Sequence, residues 1–140
     1  NSLQYNKDNM VTSTSPTIPR LIPIYTTRGD LGAYLGYPYI FSRQGEWIGW
    51  VTSDRKVYSV HGQYVGMLSK DNRILRKMSD GYEQERRKSP VAPPIQITIP
   101  AHAPLAPLMA ELPFGVIDVL LEQPDLLPTL GSGEGQVDLG

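Results

Sequence analysis

Few side chains in this sequence are capable of catalysis or metal binding, and their spacing suits neither role. The sequence contains no cysteine, and its two histidines, His61 and His102, have no neighbours at the spacing of a metal site. Asp30 and Glu46 could divide acid and base roles, but each falls in a different predicted turn, where a carboxylate is normally just exposed. The glycine-rich segment 131–135 lacks the strand and the helix that flank a phosphate-binding loop. We therefore predict that the protein is not an enzyme and has no metal or cofactor.

Aromatic side chains form the second group that could bind another molecule. Trp47 and Trp50 lie in one predicted strand, and several tyrosines lie close to them in the sequence. Exposed tryptophan favours protein contacts, so both are candidates for a protein-binding surface, with packing in the core as the other interpretation. The basic residues of segment 70–88, beside Tyr82, could instead contact phosphate and stack on a base. Acidic residues are interspersed among them, which makes nucleic-acid binding the less favoured interpretation.

These aromatic residues belong to a pattern that occurs three times, at 25–35, 41–51 and 58–68. Each copy begins with an aromatic residue and a small hydroxyl-bearing residue, and a glycine follows four positions after the aromatic one. Such a glycine suits the positive φ that closes a hairpin turn. A second glycine in the returning strand predicts a bend or a close approach of another backbone. The pattern predicts an all-β fold, a small meander or flower of repeated β-hairpins.

The apolar positions of the repeat predict the core. A single hairpin is marginal in water, so the copies should bury a common apolar face. That face is expected to combine the first and last residues of the copies, namely Tyr25, Phe41, Tyr58, Leu35, Val51 and Leu68.

The repeat resembles a small bacterial domain, the four-fold β-flower. The resemblance covers roughly residues 22–76 and rests on Gly45 with Ile48-Gly49-Trp50 and on Gly62 with Val65-Gly66-Met67. It implies a small all-β domain and brings no catalytic residue or cofactor with it. Because only three copies are clear, a fourth hairpin would have to come from residues 73–76 with a flanking strand such as residues 21–24.

Proline and charge divide the rest of the chain. The predicted segments are an irregular N-terminal arm at 1–20, the β-hairpin domain at 21–82, a charged and then proline-rich linker at 83–107, an apolar docking segment with a short helix at 108–130, and a flexible tail at 131–140. All 13 lysines and arginines lie before residue 89, so the C-terminal part is acidic. It should either keep an apolar segment soluble or lie on a basic surface of this protein or a partner.

Two parts of the C-terminal arm are candidates for binding another protein. Ile95 and Ile97 alternate between prolines like a short strand that could pair with an exposed sheet edge, with a stiff spacer as the alternative. A helix of about ten residues is predicted between Pro113 and Pro124. The apolar side chains of this part should dock on another protein or pack on the β-domain, and they are Phe114, Ile117, Leu120, Leu121, Leu126 and Leu127.

We therefore expect a non-enzymatic structural or accessory subunit that binds other proteins through its β-domain and C-terminal arm, in a hetero- or homo-oligomeric assembly. A domain of about 60 residues with neither disulfides nor metals has a small core, which assembly would supplement. The alternative is a small-ligand or nucleic-acid binding module that uses the aromatic and basic surfaces. No apolar run approaches the roughly 20 residues that span a bilayer. We expect a cytoplasmic protein at the periphery of a larger complex.

Overall fold

The chain folds into an antiparallel β-sheet with a short C-terminal helix, as seen in a computed structural model that describes residues 20–79, 86–90 and 97–129. The strands are β1 (Ile22–Tyr25), β2 (Leu31–Gly36), β3 (Tyr39–Ser42), β4 (Trp47–Val51), β5 (Lys56–Ser59), β6 (Tyr64–Leu68), β7 (Ile74–Lys77) and β8 (Val116–Asp118). Helix α1 (Val119–Glu122) and a 3-10 turn (Pro124–Leu126) follow. The predicted all-β hairpin class is confirmed. Residues 1–19, Ile95 and the predicted flexible tail at 131–140 lie outside the described residues.

The eight strands form one sheet, in which neighbours in space are also neighbours in the sequence. Short hairpin turns impose this order from β1 to β7. β7 forms at the residues expected for a fourth hairpin, but it pairs with β8, whereas β1 pairs with β2. The suggested pairing of 73–76 with 21–24 was therefore wrong. Because β8 lies far along the chain from β7, no short turn joins the two strands, and the sequence next to β7 does not indicate its partner.

Five hairpin turns of the described chain share one hydrogen-bond pattern: 26–30, 42–46, 52–56, 59–63 and 69–73. The first residue is threonine or serine; its carbonyl accepts from the fourth N–H, and its N–H donates to the fifth carbonyl. Its hydroxyl oxygen also accepts from the fifth N–H, at 3.0–3.4 Å. The fourth residue has positive φ in every case, including Arg55 (70°) and Asn72 (64°). Two of the five turns therefore lack the glycine that marks the repeat in the sequence.

Side chains alternate between two packed faces of the sheet. The aliphatic face is a buried cluster made of Ile24, Ala33, Leu35, Ile40, Ile48, Val51, Val57, Val65, Leu68, Ile74, Val119 and Leu127. The aromatic face is a second cluster, made of Trp50, Tyr58 and Tyr64 with Trp47 packed against it.

The predicted core wrongly placed aromatic and aliphatic residues on one face. Leu35, Val51 and Leu68 lie in the aliphatic cluster, but Tyr58 lies in the aromatic one. Phe41 packs beside Tyr39, with ring centroids 6.3 Å apart. The aromatic residue that opens each copy follows an aliphatic one in its strand, so the alternation of a strand sends it to the opposite face.

The second glycines of two copies allow neighbouring strands to approach closely, as predicted. A β-carbon built at Gly49 would lie 2.5 Å from the carbonyl oxygen of Tyr58. One built at Gly66 would lie at the same distance from the carbonyl oxygen of Leu75. Real β-carbons do not come this close to backbone oxygens, so both positions require glycine.

Residues 116–127, here called the closing segment, complete the sheet and cover its aliphatic face. Val119 and Leu127 are buried in the aliphatic cluster, and Leu120 and Leu126 pack against it. The predicted helix of about ten residues was wrong, because residues 116–118 form β8 and α1 has only four residues. The open edge of β7 offers backbone partners to 116–118, and tertiary pairing outweighs the helical spacing of the apolar residues. None of the helices in the described part of the chain is long and apolar enough to cross a membrane.

Candidate protein-interaction surface

The segment between β7 and β8 lies across the hairpin turns of the sheet. Residues 86–106, described at 86–90 and 97–106, are here called the strap. Its first part is bound to turn 59–63 by three hydrogen bonds to carbonyl oxygens. The Arg87 N–H donates to Gly62 at 2.9 Å, the Ser89 hydroxyl donates to Val60 at 2.6 Å, and Nη1 of Arg86 donates to His61 at 3.0 Å.

The strap then meets the other two glycine turns in the reverse of their chain order. Ile97 and Ile99 have side-chain atoms 3.5 and 3.4 Å from the position that a Gly45 β-carbon would take. The Tyr25 hydroxyl donates to the Pro104 carbonyl at 2.8 Å, and Ala106 lies against Gly29. Residues 97–100 form no strand, so the part of the predicted edge strand that the structure describes packs on turn 42–46 instead.

The glycine of turn 59–63 is required by the strap as well as by the turn. Gly62 has a φ of 83°, which disfavours any side chain. A β-carbon at this residue would also collide with the carbonyl oxygen of Arg87. The strap can therefore pass this turn only because residue 62 is a glycine, a requirement that the repeat alone does not reveal.

Between the strap and β8, the chain exposes large apolar side chains. Leu105, Leu108 and Phe114 have exposed fractions of 95%, 101% and 105% of the reference value. Residues 105–114 are here called the exposed segment. Its ends are held, because the Tyr25 hydroxyl binds Pro104 on one side and the Met78 N–H donates to the Gly115 carbonyl at 2.7 Å on the other.

The residues predicted to bind a partner fall into three environments. Phe114 is fully exposed, whereas Ile97, Ile117, Leu121 and Trp47 are half-buried. Trp50 and Leu127 are buried, and Leu120 and Leu126 pack against the aliphatic cluster.

Sequence reasoning did not single out the two exposed leucines. Leu105 and Leu108 each directly follow a proline, Pro104 and Pro107. The sequence does carry one indication that these leucines are exposed. Each follows a proline, which interrupts a regular helix or strand, so it belongs to no helix or strand face that could be buried.

A polar network joins the sheet to the closing segment. Arg73 is buried and donates to Asp71 from Nη2 at 2.7 Å and from Nε at 3.1 Å, while its Nη1 donates to the Thr27 hydroxyl at 3.1 Å. The N–H and hydroxyl of Thr27 donate in turn to Oδ2 of buried Asp118, at 2.6 and 2.7 Å. We call these four residues the anchor network. It ties turns 26–30 and 69–73 to the last residue of β8.

Charge within the anchor network favours the ionised form of Asp71. Burial raises the pKa of Asp71, but the hydrogen bonds from Arg73 and Ser69 and the charge of Arg73 outweigh that effect. The pKa of this carboxyl is therefore held below its ordinary value of 3.8.

The residues considered for catalysis or metal binding lie on three different hairpin turns and on the strap. His61, His102, Asp30 and Glu46 are all exposed. Within residues 20–79, 86–90 and 97–129, no three histidine or acidic side chains come together as a metal site would require.

Comparison with known proteins identifies the fold family. Neither a curated protein nor a solved structure matches the chain significantly. The family described as 4-fold beta flower protein matches residues 22–114, a range that contains β1 to β7, the strap and the exposed segment and ends just before β8. The chain therefore belongs to the 4-fold beta flower protein family.

Proposed function

We propose that this protein is a non-enzymatic accessory or structural subunit that binds another protein through its exposed segment. The observation that carries the proposal is the full exposure of Leu105, Leu108 and Phe114 on a short stretch of chain. Large apolar side chains that cluster on a surface are typical of interaction sites. Burying one leucine or phenylalanine contributes about 1.5–3 kcal/mol, so three of them would supply substantial affinity.

Anchorage of the exposed segment supports the same proposal. Both of its neighbours are fixed to the β-domain, at Pro104 by Tyr25 and at Gly115 by Met78. A segment held at both ends loses less conformational freedom on binding than an unattached arm, and this preorganisation increases affinity. The β-domain in this proposal serves as the platform that presents the segment, as the hairpin scaffold of many binding loops does.

The chemistry of the exposed segment indicates what the partner must offer. The segment contains Glu111 and no lysine or arginine, and its other side chains are apolar or proline. A complementary partner presents an apolar groove that accepts Leu108 and Phe114, with a basic residue at its rim for Glu111. In this proposal the protein works in the bacterial cytoplasm, at the periphery of a larger complex.

Site-specific photo-crosslinking in the full-length protein tests the proposal. A photoreactive residue replaces Leu108 in one variant and Met78 in a control, since Met78 is also exposed but lies outside the segment. Expressed in the native host, the variant at 108 is expected to give one adduct with a different protein, identified by mass spectrometry, and the variant at 78 is expected to lack it. Leu108→Asp with Phe114→Asp should abolish the complex measured by light scattering.

Three outcomes would overturn the proposal. One is an adduct with a second copy of this chain, which would make the segment a self-association surface. Another is the same adduct at both positions, which would indicate non-specific contact. The third is a complex of unchanged mass after the double aspartate substitution.

A further inference from the structure

A cavity of about 440 Å³ opens on the aromatic face of the sheet, outside the anchor network and beside the C-terminal end of the exposed segment. Its walls come from β5, β6 and β7, and residues Pro113 and Val116 lie on its remaining side. This volume falls within the range of about 300–1,000 Å³ typical of small-molecule sites.

The charged groups of the cavity are basic. Lys56, Arg76 and Lys77 line it, and none of its described lining residues is acidic. Arg76 is only 3% exposed, and its Nη1 donates to the carbonyl oxygens of Val65 at 3.0 Å and Tyr64 at 3.4 Å. Lys77 is exposed at the end of β7, and the Lys56 side chain is 42% exposed, with its Nζ 3.9 Å from an Asp54 carboxylate oxygen. A fixed guanidinium in the wall and two mobile ammonium groups at the rim create a positive potential that attracts anions.

The remaining walls are aromatic and apolar. Tyr58 and Tyr64 both line the cavity, with ring centroids 5.8 Å apart in an edge-to-face arrangement. The Arg76 guanidinium carbon lies 5.7 Å from the centroid of the Tyr64 ring. Trp50, the partner of Tyr58 on the neighbouring strand β4, stacks on that ring with centroids 4.8 Å apart and so holds it in place. Rigid aromatic walls suit the flat body of an organic ligand, which they can contact without losing side-chain freedom.

We propose that this cavity binds a small organic anion with a flat, apolar body. The body packs on Met67 and on the small exposed parts of Tyr58 and Tyr64, which are 4% and 9% exposed. The negatively charged group meets the Lys56 and Lys77 ammonium groups, and the buried Arg76 guanidinium adds positive charge to the wall. Both features of the ligand are needed, because the aromatic walls provide affinity for the body and the basic groups select the charge. This ligand site is distinct from the exposed side chains of Leu105, Leu108 and Phe114, although Pro113 of the exposed segment lines it.

The test uses 2-naphthoate as the probe, with amide chemical shifts of the full-length protein as the measurement. The expected result is saturable shifts at residues of β5, β6 and β7 that line the cavity. The neutral isostere 2-naphthamide is expected to bind about ten-fold more weakly, because it lacks the charge-assisted hydrogen bonds. Inorganic phosphate, which has charge and no flat body, is expected to leave these signals unchanged.

Two variants separate the cavity from general surface charge. Lys77→Gln removes an exposed ammonium at the rim and should weaken naphthoate binding about two- to five-fold. Arg43→Gln removes the same charge from an exposed position in turn 42–46, which does not line the cavity, and should leave the affinity unchanged.

A third variant tests the cavity itself. Met67→Trp fills the cavity from a 42% exposed position and should abolish binding while the fold persists.

The proposal is overturned by equal binding of naphthoate and naphthamide, by shifts outside the cavity, or by no saturable shifts at millimolar probe. Equal loss of affinity in Lys77→Gln and Arg43→Gln would also contradict it, since this would show attraction by net charge alone. Thermal unfolding of each variant confirms that loss of binding is not loss of folding.

Discussion

The exposed segment and the closing segment are neighbours of similar apolar character with opposite environments. Leu105, Leu108 and Phe114 are fully exposed in the first, whereas Val119 and Leu127 in the second are buried in the aliphatic cluster. Both segments contain leucines and prolines and lack lysine and arginine. The difference teaches that composition does not decide which apolar stretch becomes part of the core. The open edge of β7 and the anchor network decide it.

The closing segment has partners that the exposed segment lacks. β7 offers an unpaired edge to residues 116–118, and Thr27 offers an N–H and a hydroxyl to Asp118. Once β8 is fixed, the next residues lie over the aliphatic face, where Val119 is fully buried. The exposed segment forms no strand or helix, and its large side chains meet solvent.

The largest expected effect comes from removing a side chain of the closing segment. Leu127→Ala should lower the free energy of unfolding by about 2–5 kcal/mol, because it deletes buried methyl groups and leaves a cavity. Leu108→Ala makes the same chemical change at a fully exposed position and should cost less than about 0.5 kcal/mol. Urea denaturation of both variants measures the contrast. Similar costs for the two would contradict the assignment of Leu127 to the core.

A smaller effect should follow from substituting the glycine beneath the strap. Gly62→Ala adds both strain at positive φ and a collision with the Arg87 carbonyl, for a total cost of about 2–4 kcal/mol if the strap remains in place. Gly115→Ala is the matched control, because its φ of 81° is nearly the same and nothing lies within 4 Å of an added β-carbon. Its cost should be about 1–2 kcal/mol.

The difference between these two glycine variants isolates the strap contact. Calorimetric unfolding measures their stabilities, and hydrogen exchange of the Arg87 amide should accelerate in Gly62→Ala alone. If the two substitutions have equal cost and the Arg87 amide exchanges as in the native chain, the strap does not press on turn 59–63.

Acid should loosen the closing segment through the anchor network. Because the folded protein holds the pKa of Asp71 below 3.8, this group contributes stability that is fully present above its unfolded pKa. That contribution is lost as the pH falls through the lower, folded pKa. Asp71→Asn should reduce stability at pH 7 by on the order of 1 kcal/mol and flatten the dependence on pH below 5.

The neighbouring turn provides the control for this pH effect. Asp54 occupies the same position in turn 52–56 and accepts a hydrogen bond from Thr52, which lowers its pKa, but it is exposed and lies outside the anchor network. Hydrogen exchange of the β8 amides should accelerate in Asp71→Asn and stay unchanged in Asp54→Asn. Acceleration in both variants would show that the anchor network is not specific to β8.

The smallest stability effect is expected in the exposed segment. Leu108→Asp with Phe114→Asp should change the free energy of unfolding by less than about 0.5 kcal/mol for each substitution, because neither side chain is packed within the chain. Leu120→Asp should be clearly destabilising by comparison, since Leu120 packs against the aliphatic cluster. Thermal unfolding of these variants measures the difference in stability between them. A large loss in the double variant would place the exposed segment in the core.

The repeat was strong enough to predict the hairpins, because each copy carries its own turn chemistry. Gly29, Gly45 and Gly62 close their turns at positive φ, as expected. The turns with Arg55 and Asn72 at the same place are harder to recognise, because arginine rarely adopts positive φ and asparagine, although enriched there, gives no glycine signal. A pattern of hydroxyl residue, three intervening residues and hairpin return would have found all five.

The tail could not be predicted to the same depth. Val116, Ile117, Leu120 and Leu121 have helical spacing, yet the first two lie in β8 because the edge of β7 is open. The sequence pattern does not identify Leu105 and Leu108 as exposed. The exposure of a leucine depends on the residues around it in the folded protein, and a short-range pattern contains no information about them. Contacts with distant parts of the chain therefore decide which of the predicted binding residues are buried and which are exposed.

By itself, the sequence determined the all-β class, the hairpin turns at the three glycine copies and the family, because turn geometry and strand alternation are local properties of the chain. Only the tertiary structure decided that β8 from the tail completes the sheet, that the strap crosses the glycine turns in reverse order, and that one apolar stretch is buried while its neighbour is exposed. These outcomes depend on backbone groups and surfaces that are far apart in the sequence and meet only after the sheet has formed.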